Sequence, residues 1–148
     1  MGSGIVQKSA QEGFMVQMID REKQFVDRGI NTIRGFLDEA VQRRILSEFD
    51  SKETLSRVSG AVGVDSIDDR TDLVIEAVFE DLEVKRSVLK DLSSHCSEKT
   101  IIATNTSSLS VEQLSLMSDR PDRFIGLHFF YHPAKNRLVE VIPSSSTS

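Results

Sequence analysis

Short apolar runs alternate along the chain with longer stretches in which apolar residues recur every three or four positions. The short runs are typical of buried strands, and the recurring pattern is typical of amphipathic helices. Strands are predicted at residues 14–20, 58–64, 72–78, 100–105, 123–130 and 138–142. Helices are predicted at residues 5–12, 22–46, 81–96 and 110–117. This alternation predicts an α/β fold with a mostly parallel sheet.

The last two predicted strands break the alternation because only residues 131–137 separate them. A parallel crossover needs a dozen or more residues, so an antiparallel edge hairpin is predicted. His128 and Glu140 lie six residues on either side of Ala134. In a symmetric hairpin they face each other, with Cβ atoms about 4.5–5.5 Å apart. The pair is either an oriented general base or a structural cross-strand ion pair.

Two other stretches have the residue types of a ligand site. The segment at residues 104–110, TNTSSLS, follows a strand and precedes a helix, where open α/β sheets bind ligands. The same residues equally suit helix capping and loop formation. Asp20 ends a strand 18 residues after Gly2, close to the spacing of a ribose-binding acid after a glycine-rich turn. It is otherwise an ordinary acidic residue at a strand end.

Composition limits the classes of function. A length of 148 residues suits one domain, and a net charge of −5 with no basic block predicts no nucleic-acid partner. Cys96 is the single cysteine, which favours a reducing compartment such as the cytoplasm or the mitochondrial matrix. No apolar run has the length of a membrane span. His132 follows His128 by four residues, but a metal site needs further ligands, so none is predicted.

Six stretches together resemble one family. They are MGSGI, a strand ending MID, DLVIEAVFEDLEVK, TIIATNTSSLS, RPDRFIGLHFF and LVEVIP. In this order they resemble the L-3-hydroxyacyl-CoA dehydrogenases, in particular the 3-hydroxybutyryl-CoA dehydrogenases. The resemblance implies a Rossmann-like domain and NAD as the cofactor. It also implies reversible oxidation of an acyl-CoA substrate in fatty-acid metabolism and β-oxidation.

The resemblance assigns residue roles. It makes His128 the general base, Glu140 its orienting partner, and Ser107 the group that holds the substrate oxygen near the nicotinamide. Cofactor contacts are implied for Gly2, Asp20, Glu80, Lys85 and Ser107. Arg43 and Arg44, most simply a solvated helix end, align near the phosphates of coenzyme A.

The sequence also departs from the family pattern. The first strand and the first two glycines of the dinucleotide turn align before Met1, and a helical dimerisation domain aligns after Pro143. The chain is therefore expected to be a single partial NAD-binding domain, residues 1–148, of a homodimeric parent. Its sheet is expected to have a gap, or else the strands at 14–20 and 72–78 pair directly. A non-catalytic nucleotide-binding remnant and a related hydroxy-acid dehydrogenase are the alternatives.

Three glycines near the N-terminus and the serine-rich tail each predict a local feature. Gly2 is expected to allow close packing of the first helix against the family's first strand, which aligns before Met1. Gly4 is expected to let the backbone and the cofactor approach each other closely. The serine-rich tail at residues 144–148 is expected to be a frayed end or the start of a linker. Gly13 is expected to end the first helix.

Overall fold

The computed structural model describes residues 1–136 and 138–148. Its strands are β1 (Val16–Asp20), β2 (Val58–Val62), β3 (Leu73–Glu76), β4 (Ile101–Thr104), β5 (Phe124–Phe129) and β6 (Val139–Pro143). Its helices are α1 (Gly2–Gln11), α2 (Lys23–Gln42), α3 (Glu48–Ser56), α4 (Leu82–His95) and α5 (Val111–Met117). The chain forms two compact units, residues 1–66 with 131–136 and residues 67–130 with 138–148. Among the described helices, none combines the length and apolar character that a membrane crossing requires.

The first unit is built on a parallel pair of strands, in which Val16 of β1 lies opposite Val58 of β2. Val6, Ile33 and Leu37 are buried and form the centre of its hydrophobic core. They come from α1 and α2, so both helices turn their apolar faces inward, as the periodicity predicts. Helix α1 ends before Gly13, whose φ of +96° is readily adopted by glycine, and this confirms the predicted stop.

The predicted helix at residues 22–46 is too long. Helix α2 ends at Gln42, and Arg44 has a φ of +57°, which a continuous α-helix does not allow. A second helix, α3, then begins after Ser47, whose hydroxyl accepts a hydrogen bond from the backbone N–H of Asp50. Ser47 is a favourable N-cap, so the sequence does contain the signal for this additional helix.

The second unit contains a four-stranded sheet in the order β3-β4-β5-β6. Its first two pairings are parallel, and β5 pairs antiparallel with β6, which confirms the predicted edge hairpin. The α/β, Rossmann-like architecture with mostly parallel strands is therefore confirmed. In the described sheets β1 pairs with β2, and β3 pairs with β4. Of the two alternatives expected for the strands at 14–20 and 72–78, direct pairing is therefore not observed.

Burial along β3 differs from the expectation of a strand that is apolar and buried on both faces. Leu73 at its start is exposed, whereas Glu76 at its end is buried. A buried carboxylate requires hydrogen-bonding or charged partners. The interior of the second unit must therefore supply them.

The serine-rich tail is not a frayed end. Ser145 donates its backbone N–H and its hydroxyl to the Glu112 carboxylate of α5, at 2.8 and 2.6 Å. The Thr147 hydroxyl donates to the Phe124 carbonyl oxygen at 2.8 Å. The tail is thus fastened to α5 and to the start of β5.

Candidate active site

The β5–β6 hairpin brings His128 and Glu140 together. They are direct cross-strand partners, and His128 Nδ1 lies 2.8 Å from Glu140 Oε2. The imidazole is about four-fifths buried, with 20% of its side chain exposed, whereas half of the Glu140 side chain is exposed. In the neutral tautomer that suits this contact, Nδ1–H donates to Glu140 and Nε2 remains the basic nitrogen. The predicted facing pair is confirmed as geometry.

Close packing at Gly126 holds this hairpin against α5. A Cβ atom placed on Gly126 lies 2.7 Å from Val111 Cγ2 and 3.1 Å from Ile142 Cβ. These distances are shorter than ordinary van der Waals contacts, so a residue without a side chain is required here. Gly126 stands two residues before His128, and its packing therefore fixes the strand that carries the imidazole.

Asn105 connects β5 to the loop after β4. Its side-chain Oδ1 accepts a hydrogen bond of 2.9 Å from the backbone N–H of Phe129, the residue after His128. Asn105 thus holds the backbone next to the imidazole. Asn105 belongs to the TNTSSLS segment, but its residue type alone predicts no particular role there.

Glu80 binds the loop of residues 106–108. Its Oε1 accepts hydrogen bonds from the Thr106 hydroxyl and from the backbone N–H groups of Ser107 and Ser108, the latter two at 2.9 and 3.1 Å. Desolvation acts to raise the pKa of Glu80, but these hydrogen bonds and the Lys85 ammonium outweigh it and lower the pKa to about 2. Glu80 is therefore charged, and it fixes the loop backbone.

Ser107 stands on this loop with its side chain exposed. Its Oγ lies 3.5 Å from Glu80 Oε1, at the limit of a hydrogen bond, so the hydroxyl remains available to a ligand. Ser110, three residues later, accepts a hydrogen bond from the Gln113 backbone N–H and caps α5, as predicted. The segment therefore combines a capping function with an exposed polar group.

Lys85 does not lie at the surface. Its side chain is fully buried, and its Nζ lies 2.8 and 2.9 Å from the two Glu76 carboxylate oxygens and 3.5 Å from Glu80 Oε2. A direct contact between Lys85 and a cofactor therefore remains a prediction. Sequence reasoning missed Glu76; the signal was an acidic residue inside an otherwise apolar strand, which needs a partner such as this ammonium.

The first unit contains the remaining candidate cofactor residues. Asp20 ends β1, and its Oδ1 accepts a hydrogen bond of 2.8 Å from the Arg21 backbone N–H. Helix α1 begins at Gly2 with no side-chain cap and, in the described residues of its first turn, no acidic side chain. A helix N-terminus without an acidic side chain in its first turn favours binding of an anion such as a pyrophosphate.

The two N-terminal glycines differ in their surroundings. No described atom outside its chain neighbours and its own helix backbone lies within 4 Å of a Cβ placed on Gly2. Its packing against the strand that aligns before Met1 remains a prediction. A Cβ on Gly4 lies 2.8 Å from Pro133 Cδ, within the same unit. Gly4 thus packs closely against the chain's own Pro133, and its approach to the cofactor remains a prediction.

Arg43 and Arg44 lie at the exposed C-terminal end of α2. The Arg43 guanidinium lies 3.2 Å from Glu39 Oε1, one helical turn earlier. This geometry suits a solvated helix end. Their contact with coenzyme A phosphates remains a prediction.

Comparisons with known proteins give a consistent result. Residues 1–148 match the family model described as 3-hydroxyacyl-CoA dehydrogenase, NAD binding domain. The chain is 39% identical to a 3-hydroxybutyryl-CoA dehydrogenase of Clostridioides difficile over 148 residues, covering all of this chain and 52% of that protein. It is 38% identical to a fatty acid oxidation complex subunit alpha of Vibrio cholerae over 149 residues, covering all of this chain and 21% of that protein.

Solved structures agree with the sequence comparisons. The crystal structure of (S)-3-hydroxybutyryl-CoA dehydrogenase from Ralstonia eutropha superimposes with a TM-score of 0.94 at 39% identity, covering all of this chain and 52% of that one. This chain thus spans about half of the shorter relatives that it matches and about a fifth of the longer ones.

Proposed function

Because the chain belongs to the family of 3-hydroxyacyl-CoA dehydrogenase NAD-binding domains, we propose that it is most of the nucleotide-binding domain of an NAD-dependent L-3-hydroxyacyl-CoA dehydrogenase. The reaction is the reversible oxidation of an L-3-hydroxyacyl-CoA to the 3-oxoacyl-CoA. The observation that supports it most strongly is the 2.8 Å contact between His128 Nδ1 and Glu140 Oε2.

In this proposal His128 is the general base. Its Nδ1–H donates to Glu140, and its Nε2 takes the proton of the substrate 3-hydroxyl. Glu140 then stabilises the imidazolium that forms, because an adjacent negative charge favours the protonated ring. NAD, when bound, supplies the acceptor for the hydride that leaves substrate C3.

Ser107 orients the substrate oxygen. Its hydroxyl is exposed, and its backbone is fixed because Glu80 accepts the Ser107 N–H at 2.9 Å. A fixed backbone allows the hydroxyl to donate to the substrate oxygen without the entropic cost of ordering the loop. The tight hydrogen bonding of Glu80 thus supports the assignment of Ser107 as a substrate contact.

The first unit fits the cofactor chemically. The N-terminus of α1, with Gly2 and no acidic side chain in its first turn, suits a pyrophosphate, and the Asp20 carboxylate suits the ribose hydroxyls. Asp20 also repels a 2′-phosphate, which favours NAD over NADP. We assign Arg43 and Arg44 to binding of the coenzyme A phosphates. In the full-length protein, a further helical domain is proposed to form the dimer contacts. The proposed compartment is the cytoplasm or the mitochondrial matrix.

The test is an assay of the full-length protein with acetoacetyl-CoA and NADH, followed by NADH absorbance. We expect turnover, and a strong preference for NADH over NADPH. Binding of NAD without turnover on any acyl-CoA indicates a non-catalytic remnant and contradicts the proposal. Turnover of free hydroxy acids but not of CoA esters indicates a related hydroxy-acid dehydrogenase and contradicts the substrate class.

A further inference from the structure

We propose that Glu76 is a positioning residue, which acts through Lys85 and Glu80 to hold the loop of residues 106–108 in its ligand-ready conformation. The inference deepens the proposed function, because Ser107 stands on that loop. Glu76 is buried, and in the described part of the chain its carboxylate bonds to Val78, Lys85 and Thr104 rather than to Ser107 or His128. Its effect on a ligand must therefore pass through other residues.

Glu76 is the meeting point of three elements. Its Oε1 accepts the Val78 backbone N–H at 2.7 Å, just beyond β3. Its Oε2 accepts the Thr104 hydroxyl at 2.6 Å, at the end of β4. Both oxygens accept from Lys85 Nζ of α4. The carboxylate thus ties together the carboxyl ends of two neighbouring strands and the start of a helix, where open α/β sheets bind ligands.

Lys85 extends this connection towards the loop. Besides Glu76, its Nζ reaches Glu80 Oε2 at 3.5 Å and the Asn105 carbonyl oxygen at 3.4 Å. The contacts with Glu76 are the shorter ones, so Glu76 determines where the ammonium sits. The ammonium in turn holds Oε2 of Glu80 and leaves Oε1 directed at the loop.

Glu80 completes the connection through Oε1, which accepts the N–H groups of Ser107 and Ser108. The Asn105 side chain accepts the Phe129 N–H beside His128. The Glu76–Lys85 pair therefore supports the backbone of both assigned catalytic groups, Ser107 and His128. Loss of Glu76 shifts the ammonium towards Glu80 and draws that carboxylate away from the loop.

Stability alone does not account for the pair. Taking two charges out of water is costly, and apolar residues of similar volume commonly give equal or greater stability. An apolar pair, however, has no ammonium with which to hold Glu80 and the Asn105 carbonyl. Removing both charges together should therefore restore the free energy of unfolding without restoring the order of the loop.

The test compares Glu76→Gln with the double variant Glu76→Gln/Lys85→Met. Hydrogen exchange of the Ser107 and Ser108 amides is followed by NMR, beside the free energy of unfolding and the dissociation constant of NAD. Thr100→Val is the matched control. Thr100 is fully buried directly before β4, at the end of that strand opposite to the loop of residues 106–108. Its hydroxyl donates a hydrogen bond of 2.8 Å to the Thr71 carbonyl oxygen, so the variant also removes a buried hydrogen bond.

We expect Glu76→Gln to lower stability and to speed exchange of the two loop amides by about tenfold, the equivalent of roughly one lost hydrogen bond. In the double variant stability rises above that of Glu76→Gln, because no buried charge is left without its partner, but loop exchange stays fast. Glu76→Gln, which keeps Lys85, already binds NAD about tenfold more weakly, because binding must order the loop. Thr100→Val lowers stability and leaves the loop amides protected.

Recovery of loop protection together with stability in the double variant overturns the proposal, because Glu76 is then only structural. Unchanged loop exchange in Glu76→Gln overturns it as well. Hydrogen exchange is measured without cofactor, so its result does not depend on whether the proposed function is correct. Failure of the wild-type chain to bind NAD counts against that function and not against the positioning role.

Discussion

Replacing Glu80 by glutamine tests the loop attachment directly. The substitution keeps one oxygen acceptor and the size of the side chain but removes the charge. Hydrogen bonds to a charged group are worth more than those to a neutral one, about 1.5–3 kcal/mol against about 0.5–1.5 kcal/mol. The N–H groups of Ser107 and Ser108 and the Thr106 hydroxyl all donate to this carboxylate, so the variant weakens all three contacts.

The size of the effect follows from the lowered pKa of Glu80. A change from 4.5 to about 2 corresponds to about 3 kcal/mol of preferential stabilisation of the charged form. One third of the side chain is exposed, and solvent screening reduces this value to about 1–2 kcal/mol. We therefore expect Glu80→Gln to lower the free energy of unfolding by about 1–2 kcal/mol near neutral pH.

The same pKa gives the pH dependence. Folding lowers this pKa, so the folded state binds the proton less tightly than the unfolded state does. The stabilisation is therefore complete above pH 4.5 and is lost as the pH falls through about 2. Urea unfolding followed by circular dichroism, near neutral pH and at about pH 3.5, should show the difference between wild type and Glu80→Gln becoming smaller at the lower pH.

Glu83→Gln is the matched control for this experiment. Glu83 lies in the first turn of α4, is largely exposed and is 3.8 Å from Arg86, so its replacement should change stability by less than about 0.5 kcal/mol. An effect of Glu80→Gln no larger than that of the control refutes the reasoning. So does a difference that stays constant as the pH is lowered through this range.

Three further predictions concern other parts of the chain. Gly126→Ala should destabilise the protein by about 1–3 kcal/mol, because the added methyl group overpacks the contact with Val111. Gly35→Ala in α2 should stabilise it by about 0.5–1 kcal/mol, because no described atom lies within 4 Å of the added Cβ. Thermal unfolding measures both changes. Glu140→Gln should lower kcat about 100-fold while NADH binding is unchanged, and an equal loss of binding would contradict an orienting role. Asp20→Asn should weaken NAD binding about tenfold by calorimetry and narrow its advantage over NADP, and unchanged selectivity would argue against the ribose contact.

The hairpin was predictable because its geometry is local. A short connection forces antiparallel pairing, and the symmetric positions of His128 and Glu140 about Ala134 set their register. Their roles, by contrast, came from the family resemblance, since the same register equally suits a structural ion pair. The hairpin pattern thus predicted where the candidate site lies, and the family resemblance supplied the catalytic roles of its residues.

The support behind the loop was not predictable in the same way. Glu76, Lys85 and Glu80 meet through tertiary packing between a strand end, a helix and the following loop. The apolar character of the stretch around Glu76 predicted a buried strand but concealed its buried charge. Helix α3 was not predicted, although Ser47 is a favourable N-cap for it. The apolar periodicity of residues 22–46 predicted one long helix up to this point instead.

The most direct test of the account is the kcat of the full-length protein after His128→Gln. The matched control is His95→Gln, since His95 is exposed at the end of α4, where its Nδ1 lies 2.8 Å from the Asp91 carbonyl oxygen of the same helix. We predict that His128→Gln lowers kcat for acetoacetyl-CoA reduction by about 10²–10⁴-fold, with NADH binding retained, and that His95→Gln leaves kcat unchanged. Near-wild-type turnover in His128→Gln would contradict the assignment of His128 as the general base.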